Sequence, residues 1–132
     1  MNMRVVSLTA IAVAAFSGSA FAHHSFAMFD AQKTVTLKGT VKEFEWTNPH
    51  AWLRVMVPDQ SGTPRLWALE LSSPARLTTM GMRADSVRPG DVVSVTFHPM
   101  KDGSRGGQFM QAMLPDGKAI VRANARDENE EN

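Results

Sequence analysis

Cysteine and tyrosine are both absent from the 132 residues. Without cysteine there is no disulfide, no thiolate metal ligand and no thiol nucleophile, so any metal site must draw on histidine, methionine, carboxylates or a free amine. Net charge is almost absent too, with 14 basic side chains against 13 acidic ones. That balance leaves no basic surplus to attract nucleic acid. After residue 22 no run approaches the roughly 20 apolar residues that a membrane-spanning helix needs. Catalytic constellations are missing as well: there is no serine, histidine and acid at a recognisable spacing, and no glycine loop able to cradle a phosphate. No catalytic residue is expected.

What is present begins with an export signal. Arg4 supplies the positive start, residues 5–16 are apolar apart from Ser7 and Thr9, and in Ala20, Phe21 and Ala22 the two alanines supply small side chains at the third and first positions before the cut, where signal peptidase needs them. Cleavage after Ala22 makes His23 the new amino terminus, and no cysteine follows the cut to carry a lipid anchor. The mature chain is then expected in the periplasm or outside the cell, with no membrane span. Arg4 leaves with the signal, so 13 basic and 13 acidic side chains remain in 110 residues. That length suits one domain, over residues 23–123, which buries roughly two-thirds of its unfolded surface. Residues 124–132 hold four acids, one basic residue (Arg126) and no large apolar group, which is the composition of a solvated tail.

The body reads as strands. Between Gln32 and Trp46, Val35, Leu37 and Val41 share one alternation phase while Phe44 and Trp46 share the other; this switch implies a bulge, and Gly39 permits a bend. Asn48 and Pro49 break the strand. Ala51, Leu53, Val55 and Val57 then share a face of a second strand, and Trp67, Leu69 and Leu71 a face of a third. Ser73 before Pro74 starts a helix of about two turns that Gly81 stops, with Leu77 and Met80 inward. Val93, Val95 and Phe97 alternate along a fourth strand, a glycine-rich loop covers residues 101–107, and residues 108–114 with 119–121 complete a fifth. Three strands, a helix and two strands is the order of an OB-fold-like barrel, all-β with one short helix between strands 3 and 4. The competing layout, a small β-sandwich, has no need of that helix.

The four histidines all lie at ends: His23 and His24 open the mature chain, His50 opens the second strand and His98 closes the fourth. A freed α-amine and the Nδ1 of His23 can chelate one ion, with a second imidazole from His24, His50 or His98. Such a nitrogen-rich set favours copper(II) among the divalent first-row metals. Seven methionines remain after cleavage, among them Met28 and Met100, and thioethers are the soft ligands available for copper(I) in a cysteine-free chain. Packing into irregular gaps is the competing use of methionine. Asn48, Trp52 and Arg54 offer a different surface, since His50, Trp52 and Arg54 share the face opposite Leu53 and Val55. Glu70 is the one acid inside an apolar strand; it is either a carboxylate facing His50 or an ordinary residue on a solvent-facing phase.

His24, Ser25 and Phe26 directly after a signal, Asn48, Pro49 and His50 after Trp46, Glu70 with Ser73 and Pro74, and Pro89, Gly90, Asp91 followed by His98 and Pro99 form a recognisable set. With these the mature body resembles a family of small exported bacterial domains of unknown function. The resemblance implies an OB-like barrel and a periplasmic address and brings no established activity. Met82 departs from it, standing where the family often has tryptophan.

Two functional expectations follow. The first is an exported protein that binds copper or another divalent metal through His23, His24, His50 and His98, buffering the ion or presenting it to another periplasmic protein. The second is a non-metal module that engages a peptide, glycan or partner protein through Asn48, Trp52 and Arg54.

Overall fold

Strand β1 (Val35–Glu45) is the longest element, and its two alternation phases have a structural cause. Along its pairing with β2 (Trp52–Pro58), Val41 faces Val55 but Glu43 faces Arg54, so Lys42 is an extra residue. A bulge of this kind turns the strand and moves later side chains to the opposite face. Gly39 allows the same strand to curl: a Cβ there would stand 2.4 Å from the Met56 carbonyl oxygen and 2.7 Å from Val55 Cγ1. The computed structural model from which these relationships come describes residues 26–121, so the expected signal segment, His23, His24 and the acidic tail lie outside it.

β2 pairs with β3 (Pro64–Glu70), and β1 also pairs with β4 (Val92–Pro99), which pairs in turn with β5 (Gly106–Met113). A parallel contact between β3 and β5, Ala68 to Glu70 beside Gly106 to Gln108, closes the barrel. Closure removes the exposed edges of β3 and β5 that an open sheet would present to other chains. The order is that of the five-stranded OB-like barrel expected from the sequence. Two bounds differ from the expectation. β5 begins at Gly106 because Gly106 and Gly107 are closure positions and not part of a loop: a Cβ on Gly107 would stand 2.3 Å from the His98 carbonyl oxygen and 2.4 Å from Phe97 Cδ2. The final segment, β6 (Ala119–Val121), is a separate strand that pairs antiparallel with β5.

Leu53, Val55, Leu69, Val93, Val95 and Phe97 fill the barrel and are almost wholly excluded from water. Each such side chain contributes about 1.5–3 kcal/mol of transfer free energy. Helix α1 (Pro74–Thr79) is too short to hold itself. Ser73 Oγ accepts from Arg76 N–H, Pro74 occupies the first turn, and Gly81 at φ +82° ends the helix. Leu77 anchors α1 in the core together with Met82 and Val87 from the segment that follows. Among the described residues no helix is long and apolar enough to cross a membrane.

Candidate functional site

β3 and β5 run side by side for three residues only. Beyond Glu70 and Gln108 they part, β3 passing through Ser72 and Ser73 into α1 while β5 continues along β4. The gap is a cleft of about 300 Å³ whose wall includes His50, Glu70, Ser73, Arg76, Met80 and Gln108. A second cleft of about 170 Å³ has Met28, Phe29, Trp52, Met100 and Arg105 on its walls. Glu70 borders both clefts.

Strand pairing puts Glu70 there. On one side it is opposite Trp52 and on the other it is opposite Gln108. The β2–β3 pairing then continues irregularly: Leu71 N–H donates to the Ala51 carbonyl at 2.9 Å, whereas Ala51 N–H donates to the Ser72 carbonyl at 3.1 Å. His50 precedes Trp52 by two residues and so lies on the same face, within diagonal reach of Glu70. Its Nδ1 contacts Glu70 Oε1 directly. The approach to His50 is set by a cis Asn48–Pro49 bond and by Thr47 Oγ1, which donates to the His50 carbonyl at 3.1 Å.

The chemistry of this pair is unequal. The Glu70 side chain is 8% exposed and the His50 ring 37%. A carboxylate oxygen accepts, so Nδ1 is the donor in this contact and Nε2 is the ring nitrogen left for a ligand. Histidines that bind metals are commonly held this way, with the ring nitrogen remote from the metal donating to a carboxylate or carbonyl. Glu70 Oε2, by contrast, is buried and has no hydrogen-bond partner among the described residues. Leaving a buried acceptor unmatched costs about 1–3 kcal/mol or more, so Glu70 is an expensive residue to keep at this position on packing grounds.

Of the other expected site residues, His98 stands on the row that runs from Trp52 through Glu70 and Gln108. Three strand spacings, about 14 Å along the sheet, separate it from Trp52. Its Nδ1 donates to the Lys33 carbonyl at 2.7 Å, which likewise leaves Nε2 to accept. Arg54 is engaged: Nε and one terminal nitrogen each donate to a Glu45 carboxylate oxygen at 3.1 Å. Trp52 is half-buried in the cleft it shares with Met28 and Phe29, and Asn48 is exposed. His23 and His24 lie outside the described residues. No group of three or more histidine, aspartate or glutamate side chains is close enough to hold a metal ion among the described residues.

Sequence reasoning left Glu70 undecided and did not single out Gln108. The signal for Glu70 was its place as the one acid in an apolar strand; for Gln108 there was none, since its role depends on the parallel closure. Two aspartates brace the second cleft. A hydrogen bond from Lys33 holds the Asp30 carboxyl below its ordinary value, and Asp30 N–H donates to the Pro99 carbonyl at 2.8 Å, tying the entry segment to the end of β4. Asp102 is lowered by Ser104, whose hydroxyl and N–H donate to it at 2.6 and 2.9 Å, closing the turn that leads into Arg105.

No curated protein and no solved structure matches the chain. A family model does, over residues 10–110, and the chain belongs to that family: DUF6152, a family of unknown function.

Proposed function

We propose that this is an exported periplasmic protein that binds copper(II) or a similar divalent ion, with Nε2 of His50 as the ligand supplied by the barrel. The observation that carries the reading is the His50–Glu70 contact. A buried carboxylate orients the ring through Nδ1, and Glu70 is kept there although its Oε2 is buried and unmatched among the described residues. One imidazole does not make a centre, so the remaining donors come from the α-amine and rings of His23 and His24. His23 is five residues before Met28, an extended reach of at most about 18 Å. Met28 lies on the cleft that Glu70 shares with the His50 cleft. His98, with Nδ1 held by Lys33 and three strands along the row, stands apart from this centre. Amine and imidazole nitrogens together favour copper(II).

Copper(II) titration of the chain beginning at His23, followed by electron paramagnetic resonance, tests this. The expected result is one stoichiometric, nitrogen-rich signal that His50→Gln weakens, and that an alanine added before His23 also weakens. A signal unchanged in both variants would overturn the assignment. The second reading, a module engaging a peptide, glycan or partner protein through Asn48, Trp52 and Arg54, has weaker support, because Arg54 is already paired with Glu45 and Trp52 is half-buried.

A further inference from the structure

The second cleft has a chemistry of its own. Phe29 and Met100 form an isolated antiparallel bridge, and Lys101 N–H donates to the Met28 carbonyl at 3.0 Å, so the entry segment is tied to the end of β4 beside this cleft. Met28, Met100 and Trp52 line this one cleft, and Glu70 borders it. Both methionines and the tryptophan are half-buried, open enough to meet a small ion.

We infer that this cleft is a second metal station, for a soft univalent cation of the copper(I) class, bound by the Met28 and Met100 thioethers against the face of Trp52. Thioether sulfur selects soft ions such as copper(I) over hard ones such as magnesium(II) and calcium(II). The indole face attracts cations more strongly than any other side-chain ring. Glu70, more than nine-tenths buried and with one oxygen unmatched among the described residues, provides the countercharge that an otherwise apolar cleft lacks. Arg105 on the cleft wall opposes a cation. Met28, Met100 and Trp52 are independent of the histidine centre, although Glu70 serves both.

Silver(I), a redox-silent stand-in for copper(I), is the probe. The full exported chain, labelled with ¹³C at the methionine methyl groups, is titrated with silver(I) and followed by nuclear magnetic resonance and tryptophan fluorescence. The expected result is one equivalent bound, shifts confined to the Met28 and Met100 methyls, and quenching that Trp52→Phe reduces. Met28→Leu and Met100→Leu, which keep volume and apolarity, should each weaken binding at least tenfold. Met113→Leu, at an exposed position, should leave it unchanged, and Arg105→Gln should tighten it by about threefold at ordinary surface screening. The inference is overturned if neither methyl shifts with silver(I), or if both leucine variants bind as tightly as the parent. Because Met28→Leu and Met100→Leu remove no nitrogen donor, they should leave the copper(II) signal in place, and failure of one site is separable from failure of the other.

Discussion

Glu70 grips His50 with one carboxylate oxygen and leaves the other, Oε2, buried and unmatched among the described residues. A carboxylate kept for packing would do better as an apolar side chain of similar size, since buried ionic groups are often replaced without loss of stability. Glu70→Met is therefore expected to leave the metal-free protein at least as stable as the parent, with a gain of up to about 3 kcal/mol. It should also weaken copper(II) binding by about tenfold or more, as loss of an orienting partner does at metal sites. Urea unfolding and copper titration of the same variant check both halves. A loss of several kcal/mol would make Glu70 a structural residue.

The barrel seam gives a second expectation. Gly107 has an unstrained backbone, so the cost of a side chain there is steric: its Cβ would meet the His98 carbonyl oxygen and Phe97. Gly107→Ala should destabilise by about 1–3 kcal/mol. That corresponds to a fall in Tm of about 4–8 °C per kcal/mol for a chain near this size. Gly62→Ala is a useful contrast because its Cβ would meet nothing within 4 Å and only its φ of +83° is unfavourable. Calorimetry of the two variants should give the larger loss at Gly107.

Acid sensitivity has a defined source in the β2–β3 hairpin. Hydrogen bonds from Ser61, then Arg65, hold Asp59 down to about 2 from its ordinary 3.8. A carboxyl whose value is lowered by folding stabilises the fold above its unfolded value and loses that contribution as pH falls through its folded value. The contribution of Asp59 is thus full above about pH 4 and gone near pH 2. Denaturation of the parent and of Asp59→Asn at several pH values should show the parent more stable at pH 6 and the difference closing toward pH 2.

Arg54, two residues along β2 from Trp52, is tied to Glu45. A part-exposed pair of this kind is worth about 0.2–1 kcal/mol. Arg54→Gln should cost no more than that by urea unfolding, and should leave copper(II) and silver(I) binding unchanged. A loss of either would bring Arg54 into the site.

These results mark where sequence patterns suffice. Alternation placed Leu53, Val55, Val95 and Phe97 inside the barrel, because one buried face per strand leaves a period of two in the sequence. The bulge at Lys42 was visible as the phase switch between Val41 and Phe44. Gly106 and Gly107 were misread as loop because glycine marks turns and close approaches alike, and only the β3–β5 closure distinguishes them. The burial of Glu70 was illegible for a similar reason: on β3 alone it falls on the face opposite Leu69. What shields it is its neighbours on β2 and β5, Trp52 and Gln108, far away in the chain.

The most direct measurement is mass spectrometry of the natively exported protein under conditions that retain metal. One spectrum reports the first residue and any bound ion. The expected species starts at His23 and carries copper, and His50→Gln exported in parallel should have lost the metal bound at the nitrogen site. A chain that starts elsewhere, or one that starts at His23 and carries no copper when the metal is supplied, would contradict the proposed centre.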